Sequence, residues 1–317
     1  MQDSLALGQS ISKRLGVPIS AHEERDFENG EHKSRSLIEV GNRDAYVIHQ
    51  LEGDAGQSAN DKLVKLLFFI GSLKQAGAAR VTAIAPYLPY SRKDRRTKSR
   101  DPVNSRYVAA LFEAMRTDVL VTLEIHNIAA FENAFPICRA ENLATARLMA
   151  DHIRPVLGDG PVVVVSPDAG GAKRAELFRS VLEKDMGKPV GNAMLEKHRS
   201  ADVVSGSLFA GDVKGRTAII VDDMIGSGGT VMRAVQACRK HGAGKIYAVA
   251  THGLFTEGAA TLFGEAGPDR IIVTDSVQAA SGVQSDRLQI ISVAGLLADA
   301  IDCLHNGNAL YDLLPYN

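Results

Sequence analysis

Residues 217–230 read TAIIVDDMIGSGGT, and the fold class follows from them. Ala218-Ile219-Ile220-Val221 is an apolar run, the pattern of a strand buried on both faces of a parallel sheet. Asp222 and Asp223 stand where that strand is expected to end. A loop of small residues follows, Gly226-Ser227-Gly228-Gly229-Thr230, and then Val231, Ala234, Val235 and Cys238 recur at helical spacing. A strand, a glycine loop and a helix N-terminus in this order form an anion cradle, because free backbone N–H groups and the helix dipole both favour a phosphate. The acidic pair before the loop suits sugar hydroxyls or the approach of a metal. An ordinary βα turn in which the aspartates merely cap is the alternative.

The rest of the chain alternates in the same way. Strands are expected at 44–48, 80–85 and 119–123, with helices at 62–76 and 103–115. Strands then recur at 162–165, 218–221, 246–250 and 271–273. This is the signature of an α/β fold with mostly parallel sheets flanked by helices. The letters also repeat: GAARVTAIA at 77–85 parallels GAGKIYAVA at 242–250, and VLVT at 119–122 parallels IIVT at 271–274. Two matches in one order point to two copies of a single α/β unit. The domains are expected at 1–143 and 144–295, with 296–317 packing back on the first. The copies differ where it matters. After the strand at 45–48 comes HQLEG instead of an acidic pair and a glycine loop, so only the second copy is expected to hold a sugar phosphate.

Four further stretches carry chemistry. VVVVSPDAGGAKR at 162–174 is another strand running into a small-residue loop, with Asp168 placed to meet a bound cation. Two anion loops after two strands of one sheet imply a substrate with phosphates at both ends. EKHRSADVVSG at 196–206 puts Lys197 and Arg199 on one side of an extended segment. It reads as a solvated loop or, beside two phosphate cradles, as a lid that closes on developing charge. RKDRRTKSR at 92–100 is densely basic, and a polyphosphate partner, a nucleic-acid patch or a solvated loop would each suit it. Glu124 and His126 follow the strand at 119–123 at i and i+2, which would place them on one face. His126 is then a metal ligand, a phosphate contact or a structural histidine.

Bulk properties narrow these options. The chain has 317 residues, long enough for two domains, with 45% hydrophobic and 23% charged residues. A net charge of -1, 5% aromatics and no Trp argue against nucleic-acid binding. Cys138, Cys238 and Cys303 are too few and too far apart for a disulfide framework or a CxxC site, so a cytoplasmic setting is expected. No leader-like or membrane-spanning apolar run is visible, and no membrane partner is expected.

The chain resembles the ribose-phosphate diphosphokinase family, also called phosphoribosyl diphosphate synthetases, over nearly its whole length. The carrying stretches are DFENGE at 26–31, residues 86–100, SPDAGGAKR at 166–174, Lys197 to Arg199, VDDMIGSGGT at 221–230 and HNG at 305–307. The resemblance implies two tandem phosphoribosyltransferase-like domains. It implies Mg²⁺-dependent transfer of a diphosphoryl group from ATP to the C1 hydroxyl of ribose 5-phosphate, for nucleotide biosynthesis. By position, Lys197 and Arg199 match the catalytic flexible loop. Phe27, Asn29, Glu31, Arg92, Lys93 and His126 match the ATP site, which a neighbouring subunit usually completes. Asp222, Asp223, Gly226, Ser227, Gly228, Gly229 and Thr230 match the ribose 5-phosphate site. Asp168, Ala169, Gly170, Gly171 and Ala172 match the diphosphate loop, and His126 and Asp168 the metal-associated pair. A homo-oligomer is implied, a hexamer in which a dimer shares the ATP site.

Some positions depart from the family pattern. Lys93 stands where many relatives have Gln, Thr97 where Asp is common, and Gly226 where Asp usually follows the acidic pair. The stretch NIAAF at 127–131 replaces the Ser- and Gln-containing segment of relatives regulated by phosphate and ADP. Weakened allosteric control is therefore expected, as in the phosphate-independent subgroup. Two rivals remain: an ordinary phosphoribosyltransferase that consumes phosphoribosyl diphosphate, and a catalytically silent, synthetase-associated regulatory subunit.

Overall fold

A computed structural model describes residues 1–200 and 203–314, apart from the side chains of 196–208. The chain forms two compact units, one comprising Met1–Ala144 together with the residues from Val293 onward, the other Thr145–Ser292.

Unit 1 begins with helix α1 (Leu5–Leu15) and an antiparallel hairpin, β1 (His22–Asp26) and β2 (His32–Ser36). It continues as β3 (Asp44–Ile48), α2 (Ala59–Gln75), β4 (Arg80–Ile84), α3 (Asn104–Ala114), β5 (Val119–Leu123), α4 (Ile128–Glu132) and β6 (Arg139–Leu143). Strands β3 to β6 pair in sequence order, all parallel. Helix α2 illustrates how local and global signals agree. Its N-cap Ser58 accepts a hydrogen bond from the Asp61 N–H while the Asp61 carboxylate accepts from the Ser58 N–H at 2.7 Å. This reciprocal cap starts the helix. Leu63, Leu66, Leu67, Ile70 and Leu73, the stripe visible in the sequence, are all buried against the sheet with Val81, Ala83 and Leu120. Ser58→Ala is expected to cost about 1 kcal/mol, measurable as a lower denaturation midpoint.

Unit 2 contains α5 (Ala146–Leu157), β7 (Val162–Ser166), α6 (Ala172–Met186), β8 (Gly191–Ser200), β9 (Val203–Ala210), β10 (Thr217–Ile225), α7 (Gly229–Lys240), β11 (Ile246–Gly253), β12 (Arg270–Thr274) and β13 (Leu288–Ile291). The strand order is β13-β12-β11-β10-β7-β8-β9, parallel except for β8 against β9. Side chains alternate across a strand, and the two faces build separate cores. Val163, Val165, Ala218 and Ile220 pack with Val231, Ala234, Val235 and Cys238 of α7. Val162, Val164, Ile219 and Val221 pack instead with Ile153 of α5 and Phe178 and Leu182 of α6. A final helix, α8 (Ala294–His305), returns to unit 1. There the Leu304 carbonyl accepts from Arg80 Nη2 at 2.8 Å and His305 Nδ1 lies 3.1 Å from Asp44.

The duplication can be checked by register. Ala45 faces Val81 in unit 1, and Ala218 faces Ile246 in unit 2, as the first letter match requires. The second match is one residue out of step: Ala83 faces Leu120, whereas Ala248 faces Ile271. Strands buried on both faces are apolar throughout, so their letters do not mark register.

Three local expectations are corrected. Asp222 and Asp223 do not follow the strand; β10 runs past them to Ile225, with Asp222 paired opposite Ala250 and Met224 opposite His252. The stretch at 196–206 is not a simple loop. Its described backbone belongs to the β8–β9 ribbon, where Lys197 faces Ser207 and Arg199 faces Val204. Glu124 and His126 do not share a face, because Glu124 takes φ +40° and ends the extended geometry. Glu124 is consequently buried and His126 exposed.

Candidate active site

In unit 2, the neighbouring parallel strands β7 and β10 each end in a small-residue loop. Ligands of open α/β sheets gather at this carboxyl edge. After β7, the Ser166 hydroxyl donates to the Asp168 carbonyl at 2.6 Å, and Asp168 Oδ1 accepts from the Gly171 N–H at 3.1 Å. Asp168, half-buried, thereby caps the single turn Ala169–Gly171 that leads into α6. A Cβ at Gly171 would lie 3.0 Å from Ser166 Oγ, a close approach that a larger residue could make only if that hydroxyl shifted. Gly170 and Ala169 are exposed.

After β10, Gly226 and Ser227 lead to Gly228, which takes φ +80° and precedes α7. An added Cβ there would meet Leu262 at 2.7 Å, so both backbone and space select glycine. Among the described residues, no side chain caps α7. Its first turn, Gly229 and Thr230, therefore offers a helix N-terminus to an anion. Gly226 differs: a Cβ there would make ordinary contact with Thr256 at 3.7 Å, so nothing in the packing forbids a side chain.

Arg174 of α6 reaches the acidic pair of β10. Its Nη1 lies 3.8 Å from Asp222 Oδ1 and 3.7 Å from Asp223 Oδ1. Burial and then the adjacent Asp223 carboxylate push the Asp222 carboxyl well above the usual carboxylate range, against the pull of Arg174. Asp223 is buried and Asp222 half-buried. A desolvated acidic pair offset by one guanidinium can accept hydrogen bonds from hydroxyl groups. Arg174 stands in the SPDAGGAKR stretch, but its part was not foreseen, because contact with residues nearly fifty positions on leaves no trace in spacing.

In unit 1, Phe27, Asn29 and Glu31 form the tip of the β1–β2 hairpin. The Phe27 N–H donates to the Glu31 carbonyl at 2.8 Å, and Asn29 Oδ1 accepts from the Glu31 N–H at 3.2 Å. All three are exposed, and the Arg25 guanidinium lies 5.0 Å from the Phe27 ring centre. Arg92 is exposed on the loop between β4 and α3, whereas Lys93 Nζ is paired with Asp101 at 2.6 Å. The side chains of Lys197 and Arg199 lie outside the described residues.

Comparison with known proteins decides the family. Residues 1–115 match the model of the N-terminal domain of ribose phosphate pyrophosphokinase, and residues 193–314 that of the phosphoribosyl synthetase-associated domain. A ribose-phosphate pyrophosphokinase of Mycobacterium bovis is 32% identical over 313 residues, covering 97% of this chain and 92% of that protein. This chain belongs to the ribose-phosphate pyrophosphokinase family. Its relatives reach to Saccharomyces cerevisiae, whose ribose-phosphate pyrophosphokinase 2 is 32% identical over 98% of this chain and 94% of its own length. The crystal structure of phosphoribosylpyrophosphate synthetase from Mycobacterium smegmatis superposes with a TM-score of 0.86 at 32% identity, covering 96% of each chain. The α/β class, with mostly parallel sheets flanked by helices, is thus that of a pyrophosphokinase family transferase. Among the described residues, no helix is long and apolar enough to cross a membrane.

Proposed function

We propose that this chain transfers the diphosphoryl group of ATP to the C1 hydroxyl of ribose 5-phosphate, giving 5-phosphoribosyl 1-diphosphate and AMP for nucleotide biosynthesis. The hydroxyl oxygen bonds to the β-phosphorus, the bridge between the α- and β-phosphoryl groups breaks, and the hydroxyl proton is released. The observation that carries this reading is the pair of glycine loops on neighbouring strands of unit 2, with a buried acidic pair beside them. Gly226 to Thr230 would take the 5-phosphate, Asp222 and Asp223 the ribose hydroxyls, and Asp168 to Ala172 the diphosphate. Such a reaction needs alignment and charge neutralisation more than covalent help. Lys197 and Arg199, on the ribbon that begins beside β7, would supply cations to the transferring group.

In unit 1, Phe27, Asn29, Glu31, Arg92 and His126 would serve ATP, and the exposed hairpin tip suits a pocket completed by a neighbouring copy. The reading includes a homo-oligomer, a hexamer built from dimers that share the ATP site. Mg²⁺ is the expected cofactor. It binds through one or two carboxylates and substrate phosphates, and the half-buried Asp168 carboxylate at the strand end is such a donor, while exposed His126 is the metal-associated residue of unit 1. When bound, Mg²⁺ would neutralise phosphate charge. A cytoplasmic location is consistent with free cysteines at Cys138, Cys238 and Cys303.

The test is release of AMP from ATP and ribose 5-phosphate, with inorganic phosphate and ADP varied. AMP formation with little need for phosphate, and ADP inhibition competitive with ATP, is expected. Consumption of phosphoribosyl diphosphate without AMP release would indicate an ordinary phosphoribosyltransferase. Absence of any turnover would favour the silent subunit.

A further inference from the structure

The loop between β4 and α3 carries Arg92, Lys93, Arg95, Arg96, Lys98 and Arg100, with Asp94 and Asp101 as its carboxylates. Cations so close together repel one another, so the loop needs an internal anchor to keep one shape. Beneath it lies only a small cavity of about 10 Å³, lined in part by Leu88, Asp94, Asn127 and Phe131. The two carboxylates supply the anchor. Asp101 Oδ2 accepts from Lys93 Nζ at 2.6 Å, the Thr97 hydroxyl at 2.7 Å, and the N–H groups of Lys98 and Thr97 at 2.9 and 3.0 Å. Asp94 accepts from the Asn127 side-chain amide, whose Oδ1 in turn accepts from the Ala130 N–H and caps α4. The Lys93 carbonyl accepts from the Ser105 N–H at 3.3 Å and ties the loop to α3.

The result is an asymmetric charge pattern. Both acids are turned to the loop's own scaffold, and Lys93 is consumed by Asp101. Arg92, Arg95, Arg96, Lys98 and Arg100 are exposed, and none makes an ion pair with a described residue. We infer that Asp101 is a positioning residue for the nucleotide donor, and that Lys93 acts as its counter-ion instead of touching the nucleotide. This rests on the reading that the loop serves ATP. Lys93 and Thr97, the two departures of this loop from the family pattern, are then one device, since both bind the same carboxylate oxygen. The Lys93 ammonium first, then the Thr97 hydroxyl and the backbone N–H groups, hold the Asp101 carboxyl well below the usual range, so the anchor stays charged at neutral pH. A loop fixed before binding spends less ordering entropy when the polyphosphate arrives.

The experiment combines steady-state kinetics with tryptic nicking of the full chain, for wild type, Asp101→Asn, Lys93→Met, Lys93→Arg and the Asp101→Asn/Lys93→Met double variant. Asp101→Asn is expected to raise the KM for ATP by about tenfold, with a smaller change in kcat and an unchanged KM for ribose 5-phosphate. Without nucleotide it should also speed cleavage between residues 92 and 100 by about tenfold, since nicking follows local opening. Lys93→Met should act in the same direction, the double variant should be no worse than the stronger single one, and Lys93→Arg should restore both readouts. Multiplying effects of Lys93→Met and Asp101→Asn on the KM for ATP would make Lys93 an independent nucleotide contact and overturn the proposal. Unchanged nicking in Asp101→Asn would overturn it as well. Nicking is independent of chemistry, so it still tests Asp101 as the anchor if wild type releases no AMP, an outcome that removes the ATP reading itself.

Discussion

Lys197→Ala is expected to lower the turnover of AMP formation by about 10²-fold or more, the usual cost of losing one preorganised electrostatic donor. The placement of the backbone supports a large effect. Strand β8 pairs in parallel with β7, and Ser166 faces Met194. Asp168 therefore lies two residues past one partner and Lys197 three residues past the other, so both stand at the same end of this strand pair, with Lys197 still inside β8. The ribbon then folds back, with Lys197 opposite Ser207 and a register irregularity between Lys197 and Arg199. An irregularity in a two-stranded ribbon bends it locally, which suits a segment that closes over bound phosphates. The loss should appear mainly in kcat, because charge grows on the transferring group only as the bridging bond breaks. Steady-state assays at saturating ATP and ribose 5-phosphate are the check, and near-normal turnover would remove Lys197 from the chemistry.

Much of the fold was legible because it rests on buried parallel strands and one strongly patterned helix. Strands such as β5 and β7 are apolar at nearly every position, and α2 shows its stripe in the letters, although its Ser58–Asp61 cap was missed and the helix begins at Ala59 instead of 62. The β1–β2 hairpin was not legible. Its sequences HEERD and HKSRS lack apolar alternation; the two strands pair through a regular antiparallel ladder, with Arg35 meeting Glu23 directly across it at 2.7 Å. The ion pair of Lys65 with Asp26 at 2.7 Å and the stacking of His32 on Phe68 then dock the hairpin on α2. At the candidate site, the glycine loops were readable as runs of small residues after apolar strands, and at Gly228 close approach and positive φ leave few alternatives to glycine. The contacts of Arg174 and the Asp101 anchor were not, since both depend on side chains that the fold brings together.

Replacing one aspartate of the acidic pair should separate stability from function. Asp222→Asn keeps the shape of the side chain but cannot ionise. In the unliganded protein, burial and Asp223 raise the Asp222 carboxyl well above the usual carboxylate range. The unfolded chain therefore releases this proton at a lower pH than the folded one. The stability linked to the protonated form is fully present below the ordinary carboxylate range and is lost as pH rises through the raised folded value. At neutral pH the wild type carries that cost, because a desolvated charge beside a second carboxylate is only partly offset by Arg174. Asp222→Asn should accordingly unfold at a higher temperature than wild type at neutral pH, with the difference narrowing as pH falls. Calorimetry across pH is the measurement, and a variant less stable than wild type at neutral pH would contradict the strained pair. The same change should weaken the site's purpose. A hydrogen bond to a charged acceptor is worth about 1.5–3 kcal/mol, so the kcat/KM for ribose 5-phosphate should fall by roughly 10- to 100-fold, while the KM for ATP moves little. Higher stability with lower sugar-phosphate affinity, in one variant, would mark the pair as a charge kept buried for the substrate's hydroxyls.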